Sequence, residues 1–328
     1  MRWSYRVGVA LFIVSAQAAF AGPANPQVLV STPPLKPYLD QLLLGIGESD
    51  SLLRAGQDAH TFTLSPSQRR ALAEADIIVT PAPQVNPVLD QLLAVEEKRG
   101  AQIITLSDLP GADVLPYPEH DGWTHTHEPA NADKEHAPEK TDEHALLDPH
   151  LWLDPLRMAA IAAPLADRLG DYAVTHRARL KGNATKLALH LREEVHPGLT
   201  ALLDQPASNK MRARPLVPFI TYHAAYQYFL RRYGLEQAGA VTARPENYLG
   251  AKTLHNTLAS AEKLSIGCII SETENPLVKR LAAASGARIV ALSPETLYGP
   301  KDVPPVGWAR NDYDRLLVKT ALSFADCL

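Results

Sequence analysis

Three histidines stand far apart in the chain, each in its own local setting: His60 in AGQDAHTFTLSPSQ, His150 in LLDPHLWLDP and His223 in FITYHAAYQYFLRRYGL. A second set, His120, His125, His127, His136 and His144, crowds the interval between the first two, in a stretch rich in Asp, Glu and Pro. Imidazole is the commonest protein ligand for zinc, and nitrogen-rich sites suit borderline metals better than calcium or magnesium. Intervals of 90 and 73 residues separate the three, without the short paired spacing of a zinc finger. Only the fold can bring them together. Three neutral imidazoles and one open position make a zinc site that both loads and releases. A histidine taken singly is more often an ordinary solvated or core residue. Spacing alone therefore does not decide the matter.

The elements that must position them follow from periodicity. QVLVST (27–32) reads as a strand and LKPYLDQLLLGIG (35–47) as a helix; a short strand is expected over Ser51 to Arg54. The loop carrying His60 leads to a helix start, with Ser65 as N-cap, Pro66 in the first turn and Gln68 three after the cap. ADIIVTP (75–81) and AQIITL (101–106) are strands, with the helical NPVLDQLLAVEEKRG between them. The second half alternates in the same way. It runs from PLVPFITY (215–222), which leads to His223, through the helical AAYQYFLRRYG to ARIVALS (287–293). Strands alternating with helices predict parallel βαβ units. In open sheets of this kind the loops after the strands line the ligand crevice. The expected fold class is thus α/β: two parallel-sheet lobes joined by a long rigid helix, with the metal site in the cleft between them.

Between the lobes, residues 172–205 have helical patterning. Leu180, Leu187, Leu191, Val195 and Leu199 keep near one face, and Gly182 and Pro197 weaken the helix locally. The expected organisation is a signal peptide at 1–21, an N-terminal lobe at 22–171, a linking helix at 172–205 and a C-terminal lobe at 206–328. The stretch 110–147 breaks the strand–helix pattern. Its His- and acid-rich part, 117–147, is expected to be an accessory zinc-capturing loop. His176, His190, His196 and His255 lie in helical patterns and read as surface or packing residues.

The ends set the compartment. Arg2 and Arg6, the apolar run Val7–Val14 and the small-x-small Ala19-Phe20-Ala21 make a secretory signal cleaved after Ala21. The run is short for a membrane span, and no cysteine follows it for lipid attachment. The expected location is the periplasm. Of 328 residues, with net charge −4, none gather into the basic patch that nucleic acid would require. Cys268 and Cys327 are the sole cysteines, and an even count in an oxidising compartment favours a disulfide.

The chain resembles the metal-receptor family of bacterial ABC importers, in its zinc branch (ZnuA-like), over essentially the whole mature sequence. The resemblance rests on GQDAHTFTLSPSQRRALAEADIIV, DPHLWLDP, YHAAYQYFLRRYGL and the His/acid stretch before DPH. It implies that His60, His150 and His223 are metal ligands, that the cargo is Zn2+, and that Cys268 and Cys327 pair. It also implies partners: an inner-membrane zinc ABC permease with its ATPase, and a periplasmic zinc chaperone as a further candidate, for a receptor acting as a monomer. Manganese and iron receptors of the family tend to carry a carboxylate at the third ligand position, so His223 favours zinc. The family's leucine-Asp-Pro motif reads Leu292-Ser293-Pro294 here, which leaves the fourth position to water or a nearby acid, with Asp58, Ser293 and Glu295 as the region to search. The Pro-Glu-Pro-Ser-like segment of the family reads PENYLG (245–250). Three readings compete: a secreted zinc hydrolase, a manganese receptor and a surface adhesin. The first lacks an HExxH or similar general-base motif.

Overall fold

The computed structural model describes residues 26–54, 56–57, 60–82, 86–117, 146–204, 218–242 and 251–328. The expected signal peptide, Asp58, the segment PENYLG and the five histidines from His120 to His144 lie outside these residues.

The first sheet is built from β1 (Val28–Val30), β2 (Ser49–Ser51), β3 (Ile77–Thr80) and β4 (Gln102–Thr105). Its strands are parallel and ordered β2-β1-β3-β4, with Val28 opposite Ile77 on one side and Ser49 on the other. Three crossover helices connect them: α1 (Leu35–Leu42), α2 (Pro66–Glu74) and α3 (Pro87–Arg99). Strands β1 and β3 are buried throughout, which is why they read as continuous apolar runs rather than alternating ones. The capping box at Ser65 forms as expected: Gln68 N donates to Ser65 Oγ and Ser65 N to Gln68 Oε1. Strand β2 begins earlier than the sequence suggested. Asp40 in α1 accepts from both Ser49 N (2.8 Å) and Ser49 Oγ (2.7 Å), and this fixes the register two residues upstream.

The linking helix starts later than expected, at Arg177, and runs to Leu203 with one π-helical turn inside it. Helix α4 (Pro155–Tyr172) ends where the linking helix was expected to start. A 3-10 turn (Val174–His176) follows, then α5 (Arg177–His190), a π-helical turn (Leu191–Val195) and α6 (His196–Leu203). The wide turn has a local cause. Pro197 has no N–H to give the carbonyl four residues back, and its ring crowds that carbonyl, so the helix widens just before it.

The second sheet repeats the first. Its strands β5 (Phe219–His223), β6 (Gly239–Thr242), β7 (Cys268–Ser271) and β8 (Arg288–Ala291) are parallel and ordered β6-β5-β7-β8. The crossovers are α7 (Gln227–Tyr233), α8 (Ala251–Lys263) and α9 (Pro276–Ser285). A last helix, α10 (Asp312–Cys327), was not anticipated; Asn311 caps it by accepting from Asp314 N, and it buries Leu316, Leu317, Ala321 and Phe324. Cys327 in its last turn is bonded to Cys268 of β7, with Cα atoms 5.5 Å apart. Closing a loop of this length contributes roughly 4 kcal/mol in the chain-entropy account.

One apolar cluster runs through both lobes. It joins Val30 and Tyr38 of the first lobe to Ile161, Leu165, Leu191 and Leu199 of the middle helices and to Phe219, Phe229 and Phe324 of the second. Smaller clusters cover the outer face of each sheet. Among the described residues no helix is long and apolar enough to cross a membrane.

Candidate metal centre

His60, His150 and His223 meet in the cleft. One ligating atom from each lies within 4.8 Å of the others, and their ring centroids are 5.3 to 5.9 Å apart. All three are buried, and His150 is fully enclosed.

Each is placed by a different device. His223 is the last residue of β5, and the parallel register that sets Thr221 opposite Ile270 carries on to set it opposite Glu272, just beyond β7. In a sheet ordered this way the gap between these two strands is where the topology switches direction and where ligands bind. His223 Nδ1 lies 2.9 Å from Glu272 Oε1. His150 opens a 3-10 turn (Leu151–Leu153) and is held by Asp148, whose Oδ1 accepts from His150 N (2.9 Å) and faces Nδ1 (2.7 Å). His60 sits in the loop between β2 and α2, and its carbonyl accepts from Asn86 Nδ2 at 3.2 Å. Asn86 also caps α3 through its other amide atom, so the cap of one helix fixes the loop of His60.

The tautomers follow. A carboxylate accepts only, so the Nδ1 facing Asp148 carries the proton and Nε2 of His150 presents its lone pair to the cleft. Glu272 stands close to Nδ1 of His223 as a charge contact. The two Nε2 atoms are 3.5 Å apart. In the tautomers that leave both bare, this contact repels unless a cation sits between. A tetrahedral zinc ion with bonds of about 2.05 Å holds neighbouring nitrogens about 3.4 Å apart, so the pair is already spaced as one edge of such a site.

The motif DPHLWLDP is read out residue by residue. Asp148 orients His150. Trp152, fully buried, donates from Nε1 to Pro294 O at 2.9 Å and so ties the first lobe to the Leu292-Ser293-Pro294 loop of the second. Asp154 caps α4 and receives Arg232 of α7 in a two-bond fork of 2.9 and 2.8 Å.

A cavity of about 420 Å³ opens beside the trio, lined among others by His60, His223, Glu272, Ser293 and Glu295. Glu295 is nearly buried but stands outside the three-histidine cluster. Ser293 Oγ accepts from Glu295 N (3.3 Å), a local turn bond, and Tyr298 OH receives Ser293 N (3.1 Å). Asp148 and Glu272 were not singled out from sequence. Asp148 stood two places before a candidate ligand, a visible signal; Glu272 had none, since only sheet register brings it to His223. Of the helical histidines, His190 is buried and pairs with Asp314 at 3.0 Å, so it does more than pack. His196 Nδ1 meets Tyr233 OH at 3.3 Å.

Three imidazoles converging between two α/β lobes make a candidate metal site, and comparison with known proteins gives the class. Residues 28–327 match the family described as zinc-uptake complex component A, periplasmic (ZnuA). The chain is 30% identical over 348 residues to the high-affinity zinc uptake system protein ZnuA of Brucella abortus, covering 97% of this chain and 98% of that protein. It is 28% identical to the protein of the same name from Paracoccus denitrificans, covering 97% of each. A crystal structure of ZnuA superimposes with a TM-score of 0.66 at 20% identity, over 92% of this chain and 98% of that one. The manganese complex of FpvC from Pseudomonas aeruginosa shares the fold with a TM-score of 0.68 at 18% identity, over 92% of this chain and 98% of that one. The chain belongs to the ZnuA family of zinc-binding periplasmic receptors of ABC zinc uptake systems.

Proposed function

We propose that His60, His150 and His223 are the ligands through which this chain binds one zinc ion, and that the loaded protein hands it to an ABC permease driven by its ATPase. The observation that carries this reading is the convergence of three buried imidazoles, with the Nε2 atoms of His150 and His223 3.5 Å apart. Imidazole donors fit zinc better than manganese, which prefers carboxylate oxygen. The fourth position is open, filled by water or by a mobile acid such as Glu295, since Ser293 Oγ already serves a turn and a neutral hydroxyl is a poor zinc donor. The protein acts as a monomer and not as a catalyst: one chain supplies all three histidines, and the acids that contact them among the described residues, Asp148 and Glu272, face imidazoles. It acts in the periplasm after cleavage at Ala21; a periplasmic zinc chaperone is the second partner class this reading admits.

Replacing His60, His150 or His223 singly by Ala should weaken zinc binding by orders of magnitude in a chelator competition, with little change in the zinc-free melt. Three variants that bind zinc like the parent would remove the assignment.

The histidines from His120 to His144 serve as accessory, weaker sites. The support is composition together with the placement of the root of the segment, where Tyr117 N donates to Leu146 O beside Asp148. Deleting 118–145 should remove the weaker zinc equivalents in a titration and leave one tight site. Loss of the tight site with the fold intact would show that one of these histidines is a primary ligand.

A further inference from the structure

The carboxylate that orients His150 is itself held from the other lobe. Asp148 is fully buried, and its Oδ1 is taken up by His150. Its Oδ2 accepts from Gln227 Nε2 at 2.6 Å, and among the described residues that is its hydrogen-bond donor. Gln227 is the first residue of α7, only 8% exposed, four places after His223. The same Nε2 donates to Pro116 O at 2.9 Å, so both hydrogens of the amide are used. Pro116 bridges to Leu147 at the root of the His/acid segment. Tyr228 completes the clamp: its hydroxyl donates to Asp148 O (2.8 Å) and receives Leu115 N (2.9 Å).

A carboxylate gripped on one oxygen can still turn about its Cβ–Cγ bond, and the imidazole it holds turns with it. Gripped on both oxygens, it fixes the ring plane and so the direction of Nε2. Methionine is close in size to glutamine and offers no donor. Glutamate would set a second carboxylate against the first. Among uncharged side chains, an amide of this reach supplies two N–H groups to two acceptors at once.

We propose that Gln227 is a positioning residue for metal binding: through Asp148 it locks the orientation of His150 and makes that orientation depend on the second lobe and on the root of the His/acid segment. The inference rests on His150 being a zinc ligand.

The test uses the full mature chain and zinc alone as ligand. Gln227→Met should weaken zinc binding by about 10- to 100-fold, the usual effect of losing a group that orients a ligand. In the zinc-free protein the Nδ1–H proton of His150, read by nitrogen-edited NMR, should shift or broaden, while that of His223 stays in place. Asp148→Asn should also weaken binding, and the double variant should lose little beyond Asp148→Asn alone, because Gln227 acts through Asp148. Rescue of neither signal by the shorter amide in Gln227→Asn is expected, and this variant replaces Gln227→Met if the latter does not fold. A folded variant with parental zinc affinity and an unmoved His150 signal overturns the proposal, as do fully additive losses in the double variant. Failure of the ligand assignment is separate: His150→Ala would then bind zinc normally, while the zinc-free NMR signal still reports whether Gln227 orients the ring.

Discussion

A metal ligand is a lone pair at a fixed direction, and for the proposed ligands His150 and His223 a carboxylate stands behind the ring. Asp148 and Glu272 face the Nδ1 atoms of His150 and His223, so the distal nitrogens are those offered to the cleft. A proton competes with the metal for the same lone pair. Ligand imidazoles must be neutral, so zinc affinity should fall as the medium is taken from neutral to mildly acid, and binding should release protons. Isothermal titration in buffers of different ionisation enthalpy measures the release. An affinity flat across pH 5.5 to 7.5 would contradict an all-imidazole site.

At the scale of elements, the middle helices carry a buried charge pair at their irregular turn. His190 closes α5 just before the π turn, and its Nε2 meets Asp314 of α10 at 3.0 Å. The hydrogen bond to Asp314 raises the imidazole above its usual value; burial opposes this, the Asp314 charge adds to it, Arg310 subtracts and Glu194 adds a little. A group whose value is raised on folding contributes stability that is complete below its unfolded value and is lost as pH rises through the folded one. The zinc-free protein should therefore exceed His190→Gln in melting temperature most below about pH 6.5, with the gap narrowing as pH rises above it. Using the difference between the two proteins cancels the titration of the cleft histidines. A gap independent of pH would mean that the pair contributes by shape alone.

At the scale of the molecule, the two lobes are not separate bodies on a flexible hinge. One apolar cluster passes from the first sheet through the middle helices to the second, and the Asp154–Arg232 fork and the Trp152–Pro294 bond cross the same boundary. A large apolar interface resists the domain rotation that smaller, polar ones allow. Small-angle scattering of zinc-free and zinc-loaded protein should give indistinguishable radii of gyration. A clear contraction on adding zinc, of the kind hinge closure produces, would show that the shared core opens.

The chain by itself determined the alternation of strands and helices, the parallel sheets, the capping box at Ser65 and the residue types suited to zinc, because each depends on neighbours within a few positions. The motif around His150 and the family resemblance also marked which histidines to watch. Tertiary structure decided the rest. Glu272 reaches His223 only through the register of β5 with β7, and Gln227 reaches Asp148 only because the second lobe packs on the first. The start of β2 was set by its contact with Asp40 of α1. His190 read as packing because its partner lies 124 residues away. Local pattern records what a segment prefers; which distant carboxylate stands behind an imidazole is a property of the packed whole.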